Sequence, residues 1–260
     1  MEIIDTHSHL FVEEFDEDRA EVVMRAREAG VKRLYMPNID YESLPALLRT
    51  SEEYPDYCFP MLGLHPTSIK EFYREDLLRL WEVLQDDPQR FVAIGEVGMD
   101  LYWDRTYKEA QLDAFACQIG WAKQYNLPVI IHSRNAFQET FQTVETHFDA
   151  NLRGVFHSFG GNVDEAQKIL SLPGFYIGIN GIVTFKKSIL PEVLKEIVPL
   201  ERVVLETDCP YLSPVPYRGK RNESSYLSFI LECLSQIYNL PVELVAQVTT
   251  RNAETLFQKT

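Results

Sequence analysis

The feature that most constrains the fold is a regular alternation of short apolar runs with longer amphipathic stretches along the whole chain. Eight runs are predicted to be strands, and several are almost continuously apolar, as parallel strands buried on both faces are. The predicted strands are Ile3–His9, Val31–Pro37, Tyr57–His65, Phe91–Val97, Pro128–His132, Gly154–Phe159, Phe175–Asn180 and Val203–Thr207. This pattern predicts an α/β fold, a TIM-type (β/α) barrel that is either regular or distorted, with an open doubly wound sheet as the alternative.

The segments between the predicted strands have helical patterning. From Lys108 to Tyr125 apolar residues recur at helical spacing, and Asn126 and Pro128 then end the helix. The sequence shows no repeat, no shift in composition and no low-complexity linker, so we expect a single domain over residues 1–260. The stretch Cys209–Glu223 carries three prolines and is predicted to form a lid or rim loop.

Six residues of the types that bind metals stand where predicted strands end. They are His7, His9, Glu96, His132, His157 and Asp208. Because the C-terminal ends of all barrel strands meet at one rim, we expect these side chains to converge there. A lone histidine after an apolar strand is more often a hydrogen-bonded core residue, but that explanation would have to hold separately at every position. The set as a whole therefore predicts a metal site.

The composition of this set predicts two divalent ions. Four histidines and two carboxylates exceed the ligands of one catalytic ion that keeps an open position, and Glu96 could bridge a pair. We assign one ion to His7, His9, Glu96 and Asp208, and the other to Glu96, His132 and His157. Asp208 and Glu96 are the predicted catalytic carboxylates, with Asp208 able to accept a proton from the attacking water. Mixed nitrogen and oxygen ligands fit magnesium, manganese or zinc.

A net charge of −14 argues against binding of extended duplex nucleic acid, because such proteins are usually basic. It still allows a small site where a few basic or polar groups receive one or two phosphates. The predicted substrate contacts are His65, Arg134, Arg221 and Asn222. Tyr102 and Trp103 could stack a base or could simply pack under their loop.

Other residues were assigned by the same reasoning. His147 is predicted to have no catalytic role, and Glu206 is interpreted either as an acid that supports the site or as a buried hydrogen-bonded group. The four cysteines are scattered, which favours free thiols in a reducing compartment. The first residues do not resemble a signal peptide, and no apolar stretch is long enough to span a membrane. We therefore expect a cytoplasmic monomer that does not bind membranes.

Several motifs resemble those of the TatD-related DNase family of the metal-dependent amidohydrolase superfamily. In order, they are Ile-Asp-Thr-His-Ser-His, Gly-Leu-His-Pro, Ala-Ile-Gly-Glu-Val-Gly-Met-Asp, Pro-Val-Ile-Ile-His-Ser-Arg, Phe-His-Ser-Phe and Leu-Glu-Thr-Asp-Cys-Pro-Tyr-Leu. The resemblance implies a TIM-type barrel, dependence on divalent metals, deoxyribonuclease activity and metal ligands at the six positions named above. Thr67, Cys209 and Ser224 depart from the family pattern, where His, Ala and Pro are common.

Three functions were compared. The preferred one is a metal-dependent phosphodiesterase that acts on DNA ends or short oligonucleotides. The alternative is an amidohydrolase or lactonase acting on a small C–N or C–O substrate, because a fold does not by itself determine the chemistry. Glu96 favours a phosphodiester substrate over a C–N bond, since many C–N hydrolases carry a modified lysine at this position of the fourth strand. A metal-binding scaffold without turnover is disfavoured because such a site needs no open rim.

Overall fold

A computed structural model describes residues 1–258 and contains eight strands that alternate with helices. The strands are β1 Ile3–Asp5, β2 Val31–Met36, β3 Cys58–Pro60, β4 Ile94–Asp100, β5 Val129–Arg134, β6 Gly154–Phe156, β7 Phe175–Ile179 and β8 Val203–Leu205. The α-helices are α1 Arg19–Glu28, α2 Leu44–Glu53, α3 Tyr73–Asp86, α4 Lys108–Tyr125, α5 Phe137–His147, α6 Val163–Leu170, α7 Leu190–Ile197, α8 Leu227–Tyr238 and α9 Val242–Phe257.

All strand pairs are parallel and follow chain order, in one sheet of β1 to β3 and another of β4 to β8. Backbone hydrogen bonds join the two sheets at both junctions. The Leu62 amide donates to the Ala93 carbonyl at 3.1 Å beside β3 and β4, and the Thr6 amide donates to the Leu205 carbonyl at 2.9 Å beside β1 and β8. The eight strands therefore form a ring rather than the open doubly wound sheet considered as the alternative.

Adjacent residues of a strand point to opposite faces and belong to different clusters of the core, so the strands are buried on both faces. Ile3 packs in the large cluster between strands and helices, whereas Ile4 packs in a smaller one. The smaller cluster takes residues from around the ring and fills its interior; it consists of Ile4, Tyr35, Met61, Ala93, Ile130, Val155, Val204, Ala253, Leu256 and Phe257. The last three belong to α9, which hydrogen-bonds to the Glu2 carbonyl and thus closes the N-terminal end of the ring. The opposite end is left for the site.

Most elements begin where the sequence predicts, but several strands end earlier. β1 ends at Asp5, so His7 and His9 lie in the loop after it and not on the strand, apart from an isolated bridge between Ser8 and Cys209. β4 instead begins later and runs to Asp100, which places Glu96 inside the strand rather than at its end. The helix predicted over 108–125 is confirmed.

The stretch Cys209–Glu223 contains neither helix nor strand, as predicted for a rim loop. Within residues 1–258, no single helix has the length and apolar character needed to cross a membrane. The segments Ser224–Tyr238 and Val242–Phe257 meet that criterion only when they are taken together, and they are bent by 109° with respect to each other.

Candidate metal centre

The six predicted ligand residues converge at the C-terminal end of the ring. Glu96 lies at the middle of the group and is buried, with only 2% of its surface exposed. Its Oε2 is 3.1 Å from His7 Nε2 and 3.6 Å from His9 Nε2. Its Oε1 is 2.8 Å from His132 Nδ1 and 3.8 Å from His157 Nε2. The two oxygens of one carboxylate thus face two different pairs of imidazoles.

Asp208 closes the group from the side of β8. Its Oδ1 lies 3.7 Å from His7 Nε2, 3.6 Å from His9 Nε2 and 3.7 Å from His157 Nε2. The residue adopts a left-handed backbone conformation with φ of 59°, which turns the chain away from β8. Because His157 is nearly equidistant from Glu96 and Asp208, it borders both of the predicted ligand sets.

The charge of the two carboxylates dominates the electrostatics. Burial by itself raises the pKa of Glu96, but the surrounding histidines lower this pKa well below its ordinary value. For His132 the effect of burial is the opposite, since it lowers the pKa, but hydrogen bonds to Asp100 and Glu96 raise this pKa to about 9. The pKa of His157 rises to about 10 because Glu206, Asp208 and Glu96 outweigh its burial. Burial instead lowers the pKa of His7 and His65, so the site stabilises positive charge on two of its imidazoles and disfavours it on these two.

Two further buried carboxylates lie behind two of the imidazoles. Asp100 Oδ2 is 2.9 Å from His132 Nε2, on the side of the ring away from Glu96. Glu206 Oε1 is 3.0 Å from His157 Nδ1 and accepts a 2.6 Å hydrogen bond from the Ser158 amide. Carboxylates in this position fix the orientation and tautomer of metal-binding histidines. Glu206 is thus buried and hydrogen-bonded, and it also lies where it could support His157, so both interpretations of this residue fit its position.

The donor set fits divalent metal ions. In each of three groups of residues, one donor atom per residue lies within 4.8 Å of the others. The groups are His7, His9 and Glu96; His65, Glu96 and His132; and His7, His157 and Glu206. The Nε2 atoms of His7 and His9 are only 3.2 Å apart and face carboxylate oxygens, and their buried Nδ1 atoms have no hydrogen-bond partner. Imidazoles and carboxylates at this spacing are ligands that a divalent metal site can use.

The site opens into a cavity of about 940 Å³. Of the predicted substrate contacts, His65 and Arg134 line this cavity. His65 Nε2 lies 3.3 Å from Glu96 Oε1, closer to the ligand set than sequence reasoning expected. Thr67, where the family often has histidine, holds the other ring nitrogen of His65 at 2.6 Å and so fixes its orientation.

The structure does not bring Arg221 and Asn222 to the cavity. The Arg221 guanidinium is paired with Asp18 of the loop before α1, at 2.6 and 2.8 Å. The buried Asn222 amide donates to the carbonyls of Thr207 and Tyr211 and so holds the rim loop together. Both side chains are engaged by other groups of the protein, so the structure does not support the predicted substrate contact for either residue.

Two other residues occupy places unrelated to the cavity. His147 ends α5, and its Nδ1 lies 2.8 Å from the Thr143 carbonyl, outside the cavity; that it has no catalytic role stays a prediction. The Cys209 thiol is buried beside Asp208 but contacts the Ser8 and Ser224 hydroxyls, at 3.0 and 3.7 Å. Burial raises the pKa of this thiol to about 12, so it stays protonated.

Sequence comparison identifies relatives over the whole described chain. Residues 4–258 match the family model of the TatD related DNases. The metal-dependent hydrolase YabD of Bacillus subtilis (strain 168) is 37% identical over 257 residues, which cover 98% of this chain and 99% of YabD.

Solved structures agree with this result. The crystal structure of YjjV, a TatD homologue of Escherichia coli K12, has a TM-score of 0.92 and 30% identity, covering 99% of this chain and 98% of that one. A TatD-family hydrolase from Entamoeba histolytica has a TM-score of 0.88 at 23% identity, with 100% and 99% covered, and shares the fold. The TIM-type barrel predicted from the sequence is thereby confirmed.

Proposed function

The chain belongs to the TatD-related DNase family and is a metal-dependent hydrolase, and we propose that it cleaves the phosphodiester bonds of DNA as an exonuclease on single-stranded ends. The substrates are DNA ends or short oligonucleotides. The family description names a DNase, which favours a phosphodiester over the C–N and C–O bonds of the alternative function.

The observation that carries the proposal is the division of Glu96 between two sets of imidazoles. Oε2 faces His7 and His9, and Oε1 faces His132 and His157. A carboxylate with this arrangement can bridge two ions, and we assign Asp208 to the first set as proposed from the sequence. When bound, such an ion pair lowers the pKa of water and stabilises negative charge on the oxygens of a phosphodiester.

The protein's own residues then have separate tasks. Asp208 keeps its carboxylate ionised, because His157 and the other nearby histidines lower its pKa against the effect of burial. Its side chain is 13% exposed at the cavity, so it can accept a proton from an attacking water. His65 and Arg134, on the cavity wall, are placed to hold phosphate oxygens.

Preference for single-stranded ends follows from shape and charge. A cavity of about 940 Å³ has room for a small part of a strand, whereas a surface with net charge −14 repels a long duplex. We further propose that the protein is a cytoplasmic monomer, in keeping with its four free cysteines.

The test uses end-labelled single-stranded DNA and its closed circular counterpart. We expect metal-dependent release of nucleotides from the linear strand, no cleavage of the circle, and no activity with a chelator. Asp208→Ala should lower kcat by about 10²–10⁴-fold as expected for loss of a general base, and His132→Ala should also abolish activity. His147→Ala is the matched control and should behave like wild type, because His147 lies outside the cavity.

Two results would contradict the proposal. If the metal-loaded enzyme leaves DNA intact but opens lactones or amides, the alternative function replaces it. If both site variants cleave DNA at the wild-type rate, the metal centre is not the site of the chemistry.

A further inference from the structure

Two large aromatic side chains at the rim of the cavity are exposed to solvent. Trp103 is 70% exposed and Tyr102 is 52% exposed, although burial of such rings is strongly favourable. Their ring centroids are 4.9 Å apart at an interplanar angle of 87°. Trp103 lines the same cavity as Glu96, His132 and Asp208. Packing under the loop therefore does not explain these rings.

A cation without an ion-pair partner lies on the same two rings. The Arg134 guanidinium is 4.1 Å from the centroid of Tyr102 and 5.3 Å from that of Trp103. Within residues 1–258 it forms no salt bridge, although the chain carries an excess of carboxylates. Glu139, which lines the same cavity, is paired with Lys108 at 2.8 Å. Arg134 thus remains available for an anion from outside.

This rim group is tied directly to the metal centre. Asp100, which contacts His132, also accepts hydrogen bonds from the amides of Tyr102 and Trp103 at 3.0 and 3.3 Å. Arg134 follows His132 by two residues on β5, about 6.6 Å along the strand on the same face. Asp100 therefore contacts His132 and also positions the backbone that carries the two aromatic rings.

Contacts within the loop and with α3's preceding segment support this shape. Arg105 Nε donates to the Leu101 carbonyl at 3.1 Å, and Asp104 is 3.7 Å from Lys70 Nζ. A fixed aromatic surface loses little conformational entropy when a ligand stacks on it.

Resting on the proposed function, we infer that Tyr102, Trp103 and Arg134 form a nucleotide subsite, in which Trp103 stacks an unpaired base next to the scissile phosphodiester and Arg134 binds a neighbouring phosphate. A planar base fits an exposed indole, and a guanidinium binds phosphate in a bidentate manner. A base held in a duplex could not present its face to Trp103. The subsite thus makes the enzyme select single-stranded ends that carry bases.

The first test compares two single-stranded oligonucleotides that differ only at their ends. In one, the two terminal nucleotides at each end are replaced by abasic tetrahydrofuran residues, which keep the phosphates but have no base. Wild type should prefer the base-bearing ends by about tenfold or more in kcat/KM, since stacking of a base on an aromatic side chain typically contributes that much. In Trp103→Ala this preference should fall to near one, chiefly through KM for the base-bearing strand, and Trp103→Phe should restore much of it.

The matched control is Phe72→Ala, because Phe72 is an exposed aromatic residue (63%) that lies outside the cavity. It should retain the full preference for base-bearing ends. Equal cleavage of both oligonucleotides by wild type, or an undiminished preference in Trp103→Ala, would overturn the subsite while leaving the nuclease proposal intact.

The second test does not depend on cleavage. The chain has three tryptophans, and titration of the metal-loaded enzyme with a deoxynucleoside 5′-monophosphate should quench the emission of Trp103. Deoxyribose 5-phosphate, which has no base, should not quench it. The quenching should disappear in Trp103→Phe and persist in Trp81→Phe, because Trp81 lines a separate cleft beside Trp121.

If wild type cleaves no oligonucleotide at all, the proposed function fails, and this titration decides on the subsite alone. Quenching that is equal in Trp103→Phe and wild type, or absent in wild type, overturns the inference.

Discussion

Two of the four imidazoles in the centre have a carboxylate behind them, and two do not. Asp100 Oδ2 is 2.9 Å from His132 Nε2 and Glu206 Oε1 is 3.0 Å from His157 Nδ1, whereas among residues 1–258 the only carboxylates within 4 Å of the His7 and His9 rings are Glu96 and Asp208. A carboxylate behind an imidazole makes its other nitrogen a better ligand and fixes which way the ring faces. The two proposed metal positions should therefore respond differently to loss of these carboxylates.

Replacing Glu206 tests this difference directly. Glu206→Gln keeps the size of the side chain and an acceptor for the Ser158 amide but removes the charge beside His157. We expect the affinity for the ion bound by His157 to fall by about 10–100-fold. Calorimetric metal titration should then show one weakened site and one that is close to normal.

Glu139→Gln is the matched control for this measurement, because Glu139 also lines the cavity but pairs with Lys108. It should bind both ions as wild type does. Unchanged affinity in Glu206→Gln would mean that Glu206 only fills space behind His157.

Individual side chains are where prediction from sequence was least complete. Arg221 and Asn222 lie in the rim loop and were predicted to be substrate contacts, yet Arg221 pairs with Asp18, 203 residues earlier in the chain. Such a partner is determined by tertiary packing, and local sequence contains no trace of it. By contrast, the convergence of the six proposed ligand residues was predictable because each lies in or just after an apolar strand, so that the fold alone brings them together.

At the level of elements, the ends of strands were harder to predict than their existence. β4 continues to Asp100 because Gly98, Met99 and Asp100 pair with His132, Ser133 and Arg134 of β5. The sequence prediction had ended this strand at Val97. Glu96 thus lies within β4, where the register of the pairing with β5 shifts between Ile94 and Val97 and the Glu96 amide donates to the Asn38 carbonyl at 3.1 Å instead.

Gly98 is the residue on which this pairing depends. Its φ is 130°, and a Cβ there would lie 2.1 Å from the backbone oxygen of His132. We expect Gly98→Ala to lower the free energy of unfolding by at least about 2 kcal/mol, because both the conformation and the contact become strained. Since β4 and β5 carry Glu96 and His132, metal affinity should fall as well. Urea denaturation and metal titration measure the two effects.

Gly120 offers a matched control on α4. A Cβ at this position would have no neighbour within 4 Å, and the residue lies inside a helix. Gly120→Ala should therefore raise the free energy of unfolding by roughly 0.4–1 kcal/mol. If Gly98→Ala were as stable as wild type, the close approach of β4 to β5 would not be what positions the two ligands.

At the scale of the whole molecule, the centre connects distant parts of the ring. Its ligands come from β4 and β5 and from the loops that follow β1, β6 and β8, between His7 and Asp208. The barrel could be predicted from the count and alternation of its strands, since few arrangements bury eight parallel strands on both faces. The way in which α9 closes the far end was not predictable, because its apolar residues match any buried helix.

A site that joins so many strands should couple metal binding to global stability. The folded chain holds the donor atoms together, whereas the unfolded chain scatters them over about 200 residues, so ions bind the folded state preferentially. Free ion at 100 times its dissociation constant stabilises the folded state by about 2.7 kcal/mol. For a chain of this length that corresponds to a rise in Tm of roughly 5–10 °C.

Glu96→Gln should lose most of this rise, because Glu96 faces both ligand sets, whereas Glu139→Gln should keep it. Thermal unfolding of the three proteins with manganese, zinc or magnesium, and with a chelator, measures the effect for each ion. A Tm that is the same with metal and chelator would mean that the donors do not act together as a metal centre.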